Sequence, residues 1–155
     1  MEKADLSKPS KPVQNPQLRA IKYQTTEISI TAAAASSTSP ARYSATIETD
    51  KQYKRLVGVQ LTIIDSATGV IVENLRIKRF EINSKDIYSD GHPVKCLINT
   101  NDVNPNDKFD RDINETAEGN KVNIDLDEYT VSSFVAYKVA VTLMLSNKPE
   151  HIPAP

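Results

Sequence analysis

The segment from Thr130 to Leu145 constrains the fold of this chain more than any other. From Val135 onward every second residue is large and apolar, and these residues are Val135, Tyr137, Val139, Val141, Leu143 and Leu145. An apolar residue at every second position is typical of a β-strand with one buried face, whereas a helix repeats about every 3.6 residues. Lys138 interrupts the run, which is also shorter than the roughly 20 residues of a membrane-spanning helix. The segment therefore predicts a long strand that places one face in a hydrophobic core.

Length, composition and charge predict one soluble globular domain. The chain has 155 residues, a size at which a single core is usual. Its content of 39% hydrophobic and 25% charged residues is ordinary for such a domain. The formal net charge of -1 provides no global field that would attract nucleic acid or an anionic membrane. We therefore expect neither as a partner.

The cysteine content and the N-terminus indicate a chain made and kept in a reducing cytoplasm. Cys96 is the only cysteine, so an internal disulfide is excluded. The opening residues MEKADLSKPSKP lack the apolar stretch of a secretion signal, so we expect no export by that route. Cys96 lies in phase with Val94 and Ile98 in a predicted strand, which is the setting of a buried, inert thiol.

Shorter alternating runs recur along the chain, and no segment has a convincing helical pattern. The predicted strands lie at 21–31 (with an irregular middle), 43–47, 55–65, 70–72, 75–82, 93–98 and 122–126. A change of apolar phase between Ile77 and Phe80 predicts a β-bulge or a strand that switches sheets. Residues 65–69 predict a hairpin loop, and Asp90-Gly91 predicts a tight turn. Short connections favour antiparallel pairing, so the predicted fold is an all-β, two-sheet antiparallel sandwich of jelly-roll or immunoglobulin-like type.

Prolines set both ends of the chain apart from the predicted sandwich. Residues 1–19 contain Pro9, Pro12 and Pro16, which favour extended backbone. The large apolar residues of this arm are Leu6, Val13 and Leu18. Such a composition allows either a disordered tail or an arm that a neighbouring subunit holds in place. The predicted organisation is therefore an arm at 1–19, a sandwich at 20–146 and a second proline-rich tail at 147–155.

Between residues 99 and 120 the alternation stops, and Asn and Asp predominate. Long loops in compact domains are often functional, so we select a candidate binding loop whose main residues are Asp102, Asp107, Phe109, Asp110 and Asp112. Oxygen-rich side chains of this kind can bind calcium, although no frame has the Gly and Glu spacing of an EF-hand. The other interpretation is a solvated loop, since Asn and Asp are common loop formers.

No pattern for catalysis, a metal or a cofactor stands out in the sequence. His92 and His151 are the only histidines, and neither has a second His or Cys at ligand spacing. The four glycines lie far apart, so no phosphate-binding loop can be assembled, and there is no Gly-x-Ser-x-Gly motif. We expect His92 to be exposed in a turn, and we expect no enzymatic activity, metal or cofactor.

Two basic residues, Arg76 and Lys78, are predicted to share the solvent face of one strand. Surface charge of this kind commonly prevents aggregation of an edge. A contact with an acidic partner is the alternative.

Two functions fit these features. The first is a structural subunit that binds copies of itself or other subunits through its arm, with Leu6, Val13 and Leu18 as anchors. A sandwich with extended arms resembles, in architecture, the coat, decoration or tail-type proteins of viruses and phages, which implies a place in the virion. The alternative is a protein- or carbohydrate-binding module that uses the loop at 99–120, although a chain without Trp offers few rings on which a sugar could stack.

Overall fold

The structure, a computed structural model, describes residues 20–64, 72–98, 109–110 and 112–148. The strands in these ranges, in chain order, are β1 (Ile21–Ile30), β2 (Ala41–Glu48), β3 (Arg55–Ile64), β4 (Leu75–Ile82), β5 (Lys85–Tyr88), β6 (His92–Pro93), β7 (Glu115–Thr116), β8 (Lys121–Glu128) and β9 (Tyr137–Ser146). One 3-10 helix, Val94–Cys96, follows β6. Within the described ranges, no helix combines the length and apolarity that a membrane crossing requires.

The strands form two antiparallel sheets packed against each other, as the alternating pattern predicted. The first sheet has the order β1-β9-β3-β7, and the second has the order β2-β8-β4-β5 with β6 beside β4. The pairing is nested: β1 pairs with β9, β2 with β8, β3 with β7 and β4 with β5. Folding one long hairpin over on itself produces this nesting. Of the two predicted sandwich types, the jelly roll has this nested strand pairing.

The hydrophobic core lies between the two sheets. The inner face of β9 supplies five residues that are each at most 5% exposed: Tyr137, Val139, Val141, Leu143 and Leu145. The second sheet supplies Phe80, which is fully buried and meets the ring of Tyr88 edge-on at a centroid distance of 5.3 Å. The predicted strand from Thr130 is therefore confirmed from Tyr137 onward. Val135 is 46% exposed and belongs to the preceding loop, where Ser133 has a positive φ of 56° that interrupts extended backbone.

β1 is one continuous strand, so the irregular middle predicted for it is wrong. Its ten residues pair with β9 without a break in register. Ile28 and Ile30 face the core, whereas Ile21 and Tyr23 lie on the opposite face of the sheet. The apparent irregularity in the sequence is therefore a change in which face carries the apolar residues.

Bulges adjust the phase of two central strands. In β3 the register shifts between Leu56 and Gly58, and the inserted Val57 is fully buried but does not belong to the core cluster. In β4 the register shifts between Ile77 and Arg79, which confirms the predicted bulge. A bulge puts two residues opposite one, so each shift reverses the alternation beyond it.

The strand predicted at 93–98 is wrong. β6 ends at Pro93, which has no N–H with which to continue a ladder, and the 3-10 helix follows directly. The N–H of Leu97 donates to the carbonyl of Val94 at 2.9 Å and closes the helical turn. Cys96 is consequently exposed and is not the buried thiol that the sequence predicted.

The turn predicted at Asp90-Gly91 is confirmed. The N–H of His92 donates to the carbonyl of Ser89 at 3.2 Å, and Gly91 has a φ of 85° that favours glycine. The hairpin loop predicted at 65–69 lies outside the described residues. Of the strand predicted at 70–72, only Val72 is described, and it lies outside any strand.

Candidate assembly surface

β1 is an edge strand of the first sheet and is paired on one side. The N–H of Asn147 donates to the carbonyl of Ala20 at 3.0 Å, which sets the phase of the ladder between β1 and β9. Because bonded and non-bonded pairs alternate in an antiparallel ladder, the even-numbered residues of β1 exchange backbone hydrogen bonds with β9. The odd-numbered residues direct their N–H and C=O groups to the other side, and they are Ile21, Tyr23, Thr25, Glu27 and Ser29. No strand in the described part of the chain pairs with that side.

The free side of β1 has few of the features that normally prevent edge-to-edge pairing. Edge strands are commonly short, bulged or interrupted by proline. β1 has ten residues, no proline and no shift in register. Tyr23 is 57% exposed, and the next three odd-numbered residues are exposed as well. An extended segment from another chain could therefore reach the backbone of β1 along most of its length.

The charged residues of β1 lie beside opposite charges of the same domain. The Nζ of Lys22 lies 2.5 Å from Asp50, and the Nζ of Lys138 lies 4.0 Å from Glu27. The hydrogen bond from Lys22 holds the pKa of Asp50 below its usual value. These pairs reduce the repulsion that a lone edge charge would exert on an incoming strand.

Polar contacts fix β1 against the second sheet. The side-chain nitrogen of Gln24 donates to the carbonyl of Glu48 at 3.1 Å, and its side-chain oxygen accepts from the N–H of Asp50 at 2.9 Å. Near the other end of the strand, the N–H of Ala32 donates to the hydroxyl of Tyr43 at 2.8 Å. β1 is therefore fixed to the second sheet in its first half and just beyond its last residue.

Both ends of the sandwich leave it at the same place. Ile21, the first residue of β1, lies opposite Ser146, the last residue of β9. Ala20 and Asn147, which precede β1 and follow β9, are therefore neighbours. The predicted arm anchors Leu6, Val13 and Leu18 lie outside the described residues.

Part of the candidate binding loop is attached to the free edge of β3. Asp110 pairs with Val59 through two backbone hydrogen bonds of 2.8 and 3.0 Å, and its Oδ2 accepts from the hydroxyl of Tyr88 at 2.8 Å. The ring of Phe109 lies 5.4 Å from the ring of Tyr23. These two loop residues are therefore engaged with the sandwich. Asp102 and Asp107 lie outside the described residues.

Asp112 is the remaining candidate of this loop. It lines a cavity of about 130 Å³ together with Asp86, Ile87, Ile113, Asn114 and Glu115. Lys85 lies 3.4 Å from Glu115 and neutralises part of this acidic surface. Across the described ranges, no group of three or more His, Cys, Asp or Glu side chains is placed to hold a metal ion. The described residues therefore do not bring the predicted calcium ligands together.

The sequence did not predict β7, which covers the lower part of the edge of β3. Glu115–Thr116 pairs with Arg55 and Leu56. Arg55 also donates to the side-chain oxygens of Asn114 and Thr116, each at 2.9 Å. A two-residue strand has no alternation, so no sequence signal could have identified it.

The exposure of Arg76 and Lys78 is confirmed, and both side chains have local partners. Lys78 lies 2.7 Å from Asp90, and this hydrogen bond raises the pKa of Lys78. Arg76 donates to the carbonyl of Gly91 at 3.1 Å. This strand face therefore offers little uncompensated positive charge to an acidic partner.

His92 is half-buried, so the expectation that it is exposed is wrong. The pairing of β6 with β4 brings its ring onto that of Tyr88, with the centroids 5.6 Å apart. Its Nε2 is buried and has no hydrogen-bond partner among the residues that the structure describes. The other histidine, His151, lies outside the described ranges.

Tyr88 should make the fold sensitive to alkali. Burial, assisted by its hydrogen bond to Asp110, raises the pKa of Tyr88. Because the unfolded chain ionises this tyrosine near pH 10 and the folded chain does not, its contribution to stability is present below about pH 10 and is lost above it. When the pH is raised from 9 to 11, the free energy of unfolding of Tyr88→Phe should fall by about 1 kcal/mol less than that of the natural chain. Urea titrations at the two pH values measure the difference. Equal losses in the two proteins would contradict this role.

A comparison of the chain with protein families, curated protein sequences and solved structures found no match. A function therefore has to be inferred from the fold and from the surfaces described above.

Proposed function

We propose that this chain is a non-enzymatic structural subunit of a large protein assembly, and specifically a component of a virus or phage particle. It assembles through its proline-containing arm and its sheet edges, and its partners are copies of itself or other subunits. The observation that carries this proposal is the side of β1 that no described strand pairs with, on a strand that is long, regular and free of proline.

The jelly-roll connectivity supports this proposal without deciding it. Jelly rolls occur in viral capsid proteins, but also in lectin domains and cupins, so the fold alone does not select a function. A binding module based on the loop at 99–120 has less support, because Phe109 packs against Tyr23 and Asp110 pairs with Val59. The free edge of β1 has no comparable contact in the described chain.

The arm is long enough to reach a neighbouring subunit. Its 19 residues can span about 59 Å at about 3.1 Å per residue in extended conformation. The ten residues of β1 span about 34 Å. An arm that leaves at the start of β1 can therefore cover the whole edge of a neighbour, and the net charge of -1 opposes the association of copies only weakly.

The test is the solution mass of the full chain and of a variant that begins at Ala20, measured by light scattering on a sizing column over a range of concentrations. We expect the full chain to form dimers or larger bodies and the shortened variant to be a monomer. The two should unfold at the same urea concentration, apart from the stability that association adds, because the core lies within β1 to β9. A full chain that stays monomeric at every concentration would overturn the proposal of self-assembly.

A further inference from the structure

We infer that β1 of one copy accepts residues 11–19 of a second copy as an additional antiparallel strand, and that two copies exchange these arms. This inference rests on the proposed function and names the partner of the free edge. It follows from the phase of β1 and from the positions of the prolines in the arm.

Only alternate residues of β1, the acceptor strand, can form backbone hydrogen bonds with an added strand. Five alternate residues of β1, from Ile21 to Ser29, point their backbone groups away from β9. Each carries one N–H and one C=O, so the edge offers about ten hydrogen-bonding groups. The N–H of Thr31, the next odd-numbered residue, is already bonded to the hydroxyl of Tyr43 at 3.2 Å. The available edge therefore ends at Ser29.

The alternate residues of the arm that keep their N–H groups match the bonding residues of β1. Proline has no N–H, so a strand tolerates it only where the backbone nitrogen points away from the partner. Pro12 and Pro16 are both even-numbered, and therefore all the odd-numbered residues between 11 and 19 keep their N–H groups: Lys11, Val13, Asn15, Gln17 and Arg19. Pro9 is odd-numbered and ends this series. Five bonding residues in the arm thus meet five in β1.

One register uses all of these positions. It pairs Lys11 with Ser29, Val13 with Glu27, Asn15 with Thr25, Gln17 with Tyr23, and Arg19 with Ile21. The register is symmetric about Ala20, so each arm lies on the other copy's β1 across a twofold axis. A chain's own arm cannot adopt it, because only Ala20 separates Arg19 from Ile21 and a hairpin needs a loop of at least about two residues.

The same prolines limit the exchange to two copies. In the paired arm, Pro12 and Pro16 present their rings toward the new outer side, where a further strand would need N–H groups. The exchanged dimer is therefore the unit from which larger bodies are built, and the edge does not propagate into a fibre.

Proline substitutions at two neighbouring arm residues test whether the odd-numbered residues of the arm are the ones that bond to β1. Asn15→Pro removes a bonding N–H and places a ring against β1, whereas Gln14→Pro adds a proline in the same phase as Pro12 and Pro16. Because each change occurs twice in a dimer, Asn15→Pro should weaken dimerisation by about a hundredfold or more, and Gln14→Pro by about threefold or less. The described core cluster runs from Ile28 to Leu145, so both variants should retain the stability of the sandwich.

A second pair of variants tests the acceptor. Glu27→Pro removes an outward N–H of β1, and Glu27→Ala removes the side chain alone. We expect the alanine variant to dimerise like the natural chain and the proline variant to be a monomer. Urea unfolding of the Ala20-starting form with each change shows whether the sandwich itself has kept its fold. If Glu27→Pro prevents folding, the arm variants decide the question alone.

A disulfide tests the register. In a Cys96→Ser background, Ala20→Cys places two thiols at the twofold axis in a non-bonded pair, for which the Cα atoms lie about 4.5 Å apart. This distance is within the range of disulfides. Mild oxidation should yield a covalent dimer from Ala20→Cys and none from Ser37→Cys, an exposed position in the loop at the opposite end of β1. Failure of Ala20→Cys to cross-link would overturn the symmetric register.

The outcomes separate this inference from the proposed function. If the full chain is a monomer, self-assembly and this inference both fail, and only assembly with other subunits is left of the proposed function. If the full chain assembles but Asn15→Pro and Gln14→Pro behave alike, assembly stands and the strand pairing is wrong. Selective loss in Asn15→Pro supports both.

Discussion

Replacing Tyr137 with phenylalanine should lower the free energy of unfolding by about 2–3 kcal/mol, although it removes one oxygen atom. The hydroxyl of Tyr137 donates to Oε2 of Glu128, and Oε1 of Glu128 accepts from the N–H of Thr130 at 2.9 Å. Glu128 is 1% exposed, so without the hydroxyl one buried carboxylate oxygen has no partner. Urea titration at pH 7 measures the loss.

The hydroxyl of Tyr137 stays protonated, and can therefore donate, throughout the physiological pH range. Burial and the bond to Glu128 both raise the pKa of Tyr137, which therefore keeps its proton. Glu128→Leu combined with Tyr137→Phe should recover part of the loss, since no buried carboxylate oxygen is then left without a partner, although the N–H of Thr130 loses its acceptor.

Tyr43→Phe is the matched control for this prediction. The hydroxyl of Tyr43 also makes hydrogen bonds, to Ala32 and Thr31, but at an exposed site where water can replace it. Its loss should cost less than about 1 kcal/mol. Equal costs at Tyr43 and Tyr137 would mean that water reaches Glu128 and that this carboxylate is not isolated in the core.

Phe80→Ala should be the most destabilising single change in the sandwich, at about 3–5 kcal/mol. Phe80 is fully buried between the sheets, and its ring meets Tyr88 edge-on. Truncation removes the ring and leaves a cavity between two sheets that hydrogen bonds hold in register. Thermal and urea unfolding of the Ala20-starting form measure the cost without a contribution from association.

The neighbouring residue supplies the control. Arg79 lies on the opposite face of the same strand, where its side chain is 46% exposed and its Nε lies 2.9 Å from Asp125. Arg79→Ala should cost less than about 1 kcal/mol, because exposed ion pairs contribute little. If Phe80→Ala cost no more than Arg79→Ala, the core around Phe80 would have to rearrange and fill the space.

Alternation in the sequence was sufficient to predict the sandwich, because a half-buried strand requires it. Alternation gave wrong predictions where the chemistry of the backbone overrides the pattern of the side chains. Val94, Cys96 and Ile98 alternate as in a strand, but Pro93 cannot continue the ladder and a 3-10 helix forms. Conversely, β7 has too few residues to show any pattern, and it forms because the backbone of β3 is available beside it.

The candidate site was only partly predictable. The arm at 1–19 stays a prediction made from its prolines. The free side of β1 could not be predicted, because it depends on which strand pairs with β1, and a local sequence pattern does not contain that information. The loop at 99–120 was selected for its carboxylates, yet the strongest described contacts of Asp110 are its backbone bonds to Val59 and the bond to Tyr88. Composition identified the loop without revealing that Asp110 and β7 pair with the edge of β3.

The adjacency of Ala20 and Asn147 has a mechanical consequence. Ala20 and Asn147 are joined by a hydrogen bond at the end of the β1–β9 ladder, and the two strands run in opposite directions from that point. Tension applied through both chain ends would break the hydrogen bonds of this ladder one after another. A shearing force would instead load all of these bonds at the same time. A particle in which such subunits carry load between arm and tail would therefore yield first at this seam, whereas load carried by the arm alone would spare it.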